Sequence, residues 1–171
     1  MTAIDLPKHA RLLVVDDEAG ARESLEAILE DEYEVVCVED GHKAVKAIQK
    51  EEFDLVLLDL SMPKIGGIQT HEQIKNHDRF LDVIIVSAID RALEATSAIQ
   101  KGAYDYITKP FDPETILTRV DRALQKRYLQ QEVSFLRSEM ASRSEQAQIV
   151  SQSKHMQDIF LTIKKVASTS S

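Results

Sequence analysis

Two runs of consecutive apolar residues each stop at acid. Arg11-Leu12-Leu13-Val14-Val15 is followed by Asp16-Asp17, and Leu55-Val56-Leu57-Leu58 by Asp59. Strands this uniformly apolar are buried on both faces, as in a parallel sheet covered by helices. In such sheets the ligand site lies at the carboxyl ends of the strands. The three acids should therefore meet at one edge, where like charges repel unless a cation lies among them. A hard divalent ion with oxygen ligands, Mg²⁺ first, answers that requirement.

Two more strands lead to the same edge. Val83-Ile84-Ile85-Val86 delivers Ser87, and Tyr104-Asp105-Tyr106-Ile107-Thr108 ends in Lys109-Pro110. A fifth apolar run, Val35-Val36-Cys37-Val38, carries the single cysteine as an inert core thiol. Helical spacing fills the gaps. Leu25, Ile28 and Leu29 share a face in 22–30, and Ala44, Val45 and Ile48 in 41–50. Gly66-Gly67 opens a helix around 68–74. Leu93, Ala95 and Ile99 share a face in 91–101, which Gly102 ends. The alternation gives an α/β fold of five strands and five helices.

With strand ends supplying Asp-Asp, Asp, Ser and Lys in that order, the sequence resembles the receiver domain of a two-component response regulator. The resemblance covers about residues 9–125. It implies the flavodoxin-like (CheY-like) doubly wound five-stranded parallel sheet, order 2-1-3-4-5, which sets the first and third strands side by side. It further implies that Asp59 is the phosphoacceptor, loaded by a sensor histidine kinase. Asp16, Asp17, Asp59 and the backbone carbonyl of Ser61 would hold Mg²⁺, with Asp16 acting partly through water. Lys109 would give a point charge to one phosphate oxygen and Ser87 a hydroxyl to another. Tyr106 matches the aromatic that turns inward with Ser87 on phosphorylation, and Lys109-Pro110 a cis peptide. Phosphoryl transfer depends on positioning and charge neutralisation more than on proton transfer, and these residue types supply both.

Each residue alone has a plainer explanation. A strand-end aspartate is usually a turn residue or a helix cap. Ser87 alone would be a loop residue, Lys109 a solvated charge and Tyr106 a half-buried strand aromatic. Five positions, each at a strand end, are what make the pattern specific. A haloacid-dehalogenase-type hydrolase needs an acid two residues after its nucleophile, where this chain has Ser61. The other alternative is a pseudo-receiver that takes no phosphate and serves only as a dimerisation module.

Charge narrows the partners. The 171 residues carry 21 Lys and Arg against 29 Asp and Glu, a formal net charge of −8. Nucleic-acid binding needs a basic face, so this stretch is not expected to contact DNA itself. One cysteine suits a reducing cytoplasm. No apolar run reaches the length of a membrane span, and Met1-Thr2-Ala3-Ile4-Asp5 lacks the features of a signal peptide.

The fifth helix should outrun the domain. Asp112 is a capping acid and Pro113 suits the first helical position. No Gly or Pro follows. Leu117, Val120 and Leu124 share a face. After a phase slip at Lys126-Arg127-Tyr128, Leu129, Val133, Leu136 and Met140 keep a 4–3–4 spacing among charged and amide residues. That spacing makes a C-terminal helical coiled-coil extension and a homodimer the expectation, the alternative being an amphipathic helix folded back onto the domain. The receiver resemblance implies that the face of the fourth helix, fifth strand and fifth helix also takes part in the dimer.

Residues 126–148 divide into this coiled-coil helix and a polar linker at 141–148. Residues 149–171 resemble the beginning of a truncated AAA+ ATPase domain of NtrC-type sigma-54-dependent activators. Ser151 stands where that pattern has glycine, and Lys154 where proline is common. His155 is a lone histidine with no metal role expected. No G-x-x-x-x-G-K-[ST] occurs, so this stretch is not expected to hydrolyse ATP by that route. The receiver resemblance implies a phosphoacceptor rather than an enzyme. Sigma-54 RNA polymerase and DNA would be reached only through domains absent here. A helix continuous with a coiled coil favours a receiver that holds the ATPase apart until phosphorylated.

Overall fold

The computed structural model describes residues 10–62, 66–88 and 92–152. Five strands and five helices alternate along them: β1 (Arg11–Val15), α1 (Ala19–Leu29), β2 (Glu34–Val38), α2 (Gly41–Lys50), β3 (Leu55–Leu58), α3 (Gly67–His77), β4 (Asp82–Ala88), α4 (Ala92–Gln100), β5 (Asp105–Lys109) and α5 (Pro113–Gln152). The strands form one all-parallel sheet in the order β2-β1-β3-β4-β5, as expected. Val15 pairs with Leu58 in the β1–β3 register, so Asp16 and Asp59 are carried to the same level of the sheet.

The uninterrupted apolar runs exist because both faces are covered. One face packs Leu13, Val15, Val56, Leu58, Val83 and Ile85 against Ala44 and Ile48 of α2, Ile74 of α3 and Ala98 of α4. The other packs Leu12, Val14, Leu55, Leu57, Ile84 and Val86 against Leu25 and Leu29 of α1 and Ile116, Val120, Ala123 and Leu124 of α5. Each fully buried leucine contributes roughly 1.5–3 kcal/mol over leaving it in water. Edge strand β2 is only half-buried. Cys37 on it is a free, half-buried thiol whose pKa burial pushes up to about 11, so it stays protonated at neutral pH.

Several expectations need correction. Ala98, not Ile99, faces the core in α4; Ile99 is exposed. A small side chain fits where helix and sheet approach closely, and apolar spacing alone does not report that. The stretch 141–148, expected as a linker, is helical, because α5 runs unbroken to Gln152. Polar composition without Gly or Pro does not stop a helix. Residues 153–171, including His155 and most of the ATPase-like segment, lie outside the described residues, as do the side chains of Leu93 and Ala95. Contact density separates two units, residues 1–128 and 129–171. In the second, Leu129, Val133, Leu136 and Met140 are all exposed large apolar residues, with Phe135 beside them. No helix among the described residues is long and apolar enough to cross a membrane.

His71 of α3 is fully buried, and neither ring nitrogen finds a hydrogen-bond partner among the described residues. Burial, then the nearby Lys75, holds its pKa below 6.5. The folded state therefore favours neutral imidazole, and its contribution is complete above the unfolded pKa and lost as pH falls below it. Thermal melts from pH 8 to pH 5 should show stability declining on the acid side. His71→Leu should flatten part of that decline; an unchanged profile in the variant would show that His71 does not titrate on unfolding.

Candidate functional site

The site lies at the carboxyl ends of β1, β3, β4 and β5. Backbone bonds continue past the strands and fix the acids: the Asp16 amide donates to the Val38 carbonyl (3.2 Å) and the Asp59 amide to the Val15 carbonyl (2.9 Å). Asp16 and Asp59 are 1% and 4% exposed, while the neighbouring Asp17 is open to solvent. One carboxylate oxygen from each of Asp16, Asp17 and Asp59 lies within 4.8 Å of the others.

Lys109 answers part of this negative charge. Its Nζ is 2.6 Å from Asp16 Oδ2 and 3.2 Å from Asp59 Oδ2. Burial opposes the ammonium charge, but Asp16 and Asp59 outweigh it and raise the Lys109 pKa. Burial pushes the Asp16 carboxyl above the usual carboxylate range, an effect that Lys109 and the Glu18 amide only partly offset. The Glu18 amide donates to Asp16 Oδ1 at 2.9 Å, and Arg22 holds the Asp16 carbonyl at 2.7 Å.

Ser61 and Ser87 complete the rim. The Ser61 amide donates to Asp59 Oδ1 (3.1 Å), and its hydroxyl lies 3.3 Å from that of the buried Ser87. The sequence marks Ser61 only for its carbonyl; the hydroxyl contact joins the loop after β3 to the end of β4, 26 residues on, and nothing local announces it. Tyr106 is half-buried, and its hydroxyl donates to the Ala88 carbonyl at 3.2 Å, one residue past Ser87. The Lys109–Pro110 peptide is cis, as the resemblance implied. Every residue marked from the sequence thus lies at this edge: Asp16, Asp17, Asp59, Lys109, Ser61 and Ser87 around one pocket of charge, and Tyr106 behind it.

This arrangement can hold a hard cation and an incoming anion together. Three clustered carboxylates are the oxygen donors that Mg²⁺ takes. A lysine ammonium and hydroxyls in this position can offer positive charge and donors to the oxygens of such an anion. The family model described as the response regulator receiver domain matches residues 12–121.

The chain belongs to the response regulator receiver family. As a receiver it is a phosphoacceptor module of two-component signalling. It is similar to the regulatory protein AtoC of Escherichia coli (strain K12), 32% identical over 168 residues, 98% of this chain and 35% of that protein. It is also similar to the alkaline phosphatase synthesis transcriptional regulatory protein PhoP of Bacillus subtilis (strain 168), 33% identical over 83% of this chain and 58% of that one. Among solved structures it is similar to NtrX from Brucella abortus in complex with ATP. That match has a TM-score of 0.71 and 35% identity, and covers 74% of this chain and 29% of NtrX. The chain therefore spans about a third of the length of AtoC and of NtrX.

Proposed function

We propose that this receiver takes phosphate on Asp59 from a sensor histidine kinase, with Mg²⁺ held by Asp16, Asp17, Asp59 and the Ser61 carbonyl. The observation that carries this is the buried Asp59 carboxylate, joined to Asp16 through the Lys109 ammonium beside exposed Asp17. A carboxylate oxygen of Asp59 attacks the phosphorus, the bond to the donor breaks, and its electron pair leaves with the imidazole or carboxylate leaving group. When bound, the ion supplies positive charge to the phosphoryl oxygens. Lys109 balances a further oxygen of the group, and Ser87 donates its hydroxyl to another. Drawing Ser87 toward the phosphate vacates its place at the end of β4, next to the Ala88 carbonyl that Tyr106 now holds. Tyr106 then turns inward.

In the parent protein, we take the output to be control of a sigma-54-activating AAA+ ATPase through a homodimer. Support comes from the match to AtoC over nearly the whole chain and from the ATP bound by NtrX. The exposed 4–3–4 stripe on α5 supports the dimer, with β-branched Val133 alternating with Leu129 and Leu136 as two-stranded coiled coils prefer. The face of α4, β5 and α5 would complete the contact, and the resting dimer would hold the ATPase apart. DNA and polymerase contacts belong to other parts of that protein, and the setting is the cytoplasm.

The test is direct. With Mg²⁺ and acetyl phosphate, intact mass should show one phosphate adduct, lost in Asp59→Ala and on metal chelation, while light scattering follows the dimer. No adduct with any donor would leave the pseudo-receiver, a dimerisation module, as the function. Release of the ATPase on deletion of residues 1–140 from the parent protein is the expected result for a repressing receiver; loss of assembly would reverse that assignment.

A further inference from the structure

Asp59, Ser87 and Lys109 stand at or just past the carboxyl ends of β3, β4 and β5. The opposite ends of the same three strands are held by two consecutive residues of α5. Lys126 Nζ lies 2.9 and 3.0 Å from the two carboxylate oxygens of Asp82, the first residue of β4. The same ammonium sits 4.8 Å from the centroid of the Tyr104 ring, just before β5. Arg127 donates to the carbonyls of Phe80 (3.1 Å) and Phe53 (3.3 Å), and its Nε lies 3.5 Å from Asp54 Oδ1, just before β3. Asp54 in turn accepts from the Arg11 amide at 2.9 Å, which brings in β1.

Each pair has one enclosed and one open member: the side chains of Asp82 and Arg127 are 7% and 16% exposed, while those of Lys126 and Asp54 are 42% and 37% exposed. The cost of removing Lys126 therefore falls on the enclosed Asp82 carboxylate, which loses the ammonium that pairs with both of its oxygens. Lys75 also reaches this point of the sheet, donating to the Leu81 carbonyl at 3.0 Å.

The position along α5 gives the clamp its meaning. The first compact unit ends at Tyr128. Leu124 is buried in the core, and the exposed stripe resumes at Leu129. Five residues turn a helix through about 140° beyond a full revolution. Lys126 and Arg127 lie inside that slip, on the last turn of α5 within the first unit.

We propose that Lys126 and Arg127 form a clamp that couples the starts of β3, β4 and β5 to α5 at the point where the helix leaves the domain. A hydrogen-bonded strand is stiff along its length, so a shift imposed on Ser87 at one end of β4 reaches Asp82 at the other. Packed elements respond by stepping between arrangements rather than by deforming continuously. Phosphorylation at one edge of the sheet thereby reseats the helix at the other. The clamp rests on the receiver activity proposed above.

Amide hydrogen exchange on the whole 171-residue chain tests it, with and without acetyl phosphate and Mg²⁺, in peptides covering 122–136. In the wild type, phosphorylation should change exchange there by about fivefold or more. Lys126→Met should take up the same phosphate by intact mass, exchange about tenfold faster at rest, and respond no further to phosphate. Lys126→Arg should restore the response. Phosphorylated wild type with unchanged exchange over 122–136, or Lys126→Met responding like wild type, overturns the clamp alone. A wild type that takes no phosphate overturns the receiver activity and the clamp together, and the mass spectrum shows which has happened. Should Lys126→Met lose protection throughout the sheet, Arg127→Met decides by the same measurements.

Discussion

Lys109→Ala should slow phosphoryl uptake from a small donor by about a hundredfold, the usual loss when one preorganised charge or donor is removed from a transition state. The same change should weaken the resting fold. Among the described residues, Lys109 is the side chain that bonds both Asp16 and Asp59, whose side chains are 1% and 5% exposed. Without it, two buried negative charges face each other with the Asp17 carboxylate nearby. Breaking a buried pair from one side costs about 3 kcal/mol. Denaturant melts of wild type and variant should differ by about that amount in chelator. The gap should narrow as Mg²⁺ is added, since a bound cation stabilises the folded state in proportion to its occupancy. Equal stability of the two proteins in chelator would mean that Lys109 does not neutralise the site. Equal phosphorylation rates would remove it from the chemistry.

Gly67→Ala should be among the most damaging single-methyl changes in the chain. Gly67 opens α3, and an added Cβ there would drive into the carbonyl oxygen of Asp59 and the Cα of Leu60. Those are backbone atoms of the strand end that carries the proposed phosphoacceptor, and they cannot swing aside as a side chain can. Relief requires moving α3 away or displacing Asp59. Overpacking of this kind costs about 3 kcal/mol, and any displacement of Asp59 also breaks its approach to Lys109. The neighbouring Gly66 is an internal control, because an added Cβ there meets nothing within 4 Å. Gly66→Ala should leave both melting temperature and phosphate uptake close to wild type. Parallel effects from the two substitutions would mean that the loop as a whole, rather than the contact at Gly67, matters.

The parts of this protein that were legible in the sequence are those written in consecutive residues. Leu12 to Val15 and Leu55 to Leu58 announce strands covered on both sides, and the acids that end them announce the edge where charge collects. What stayed hidden depends on residues distant in the chain. The Ser61 hydroxyl, in the loop after β3, meets Ser87 at the end of β4. His71 is one polar residue on an otherwise ordinary helix, and nothing beside it tells that both ring nitrogens are enclosed. Lys126-Arg127 registered only as a slip in apolar phase, because their partners Asp82, Phe80 and Phe53 lie 44 to 74 residues away. The helical 141–148 shows the limit of composition: a polar run lacks the apolar periodicity that flags a helix, yet contains nothing that ends one.

The core on the α1 side has a consequence for synthesis. Leu12, Val14, Leu25, Leu29, Leu55 and Leu57 are covered together with Ile116, Val120, Ala123 and Leu124 from the last helix of the domain. A ribosome making this chain has therefore produced all five strands before that face of the sheet can close. Parallel pairing is already slow, because every contact spans a long stretch of chain. Until about residue 124 emerges, the nascent sheet presents a row of leucines and valines to whatever chaperone or neighbour is nearest. Translation arrested before Pro113 should yield a sticky, protease-sensitive product, and arrest placed to expose Leu124 a resistant one.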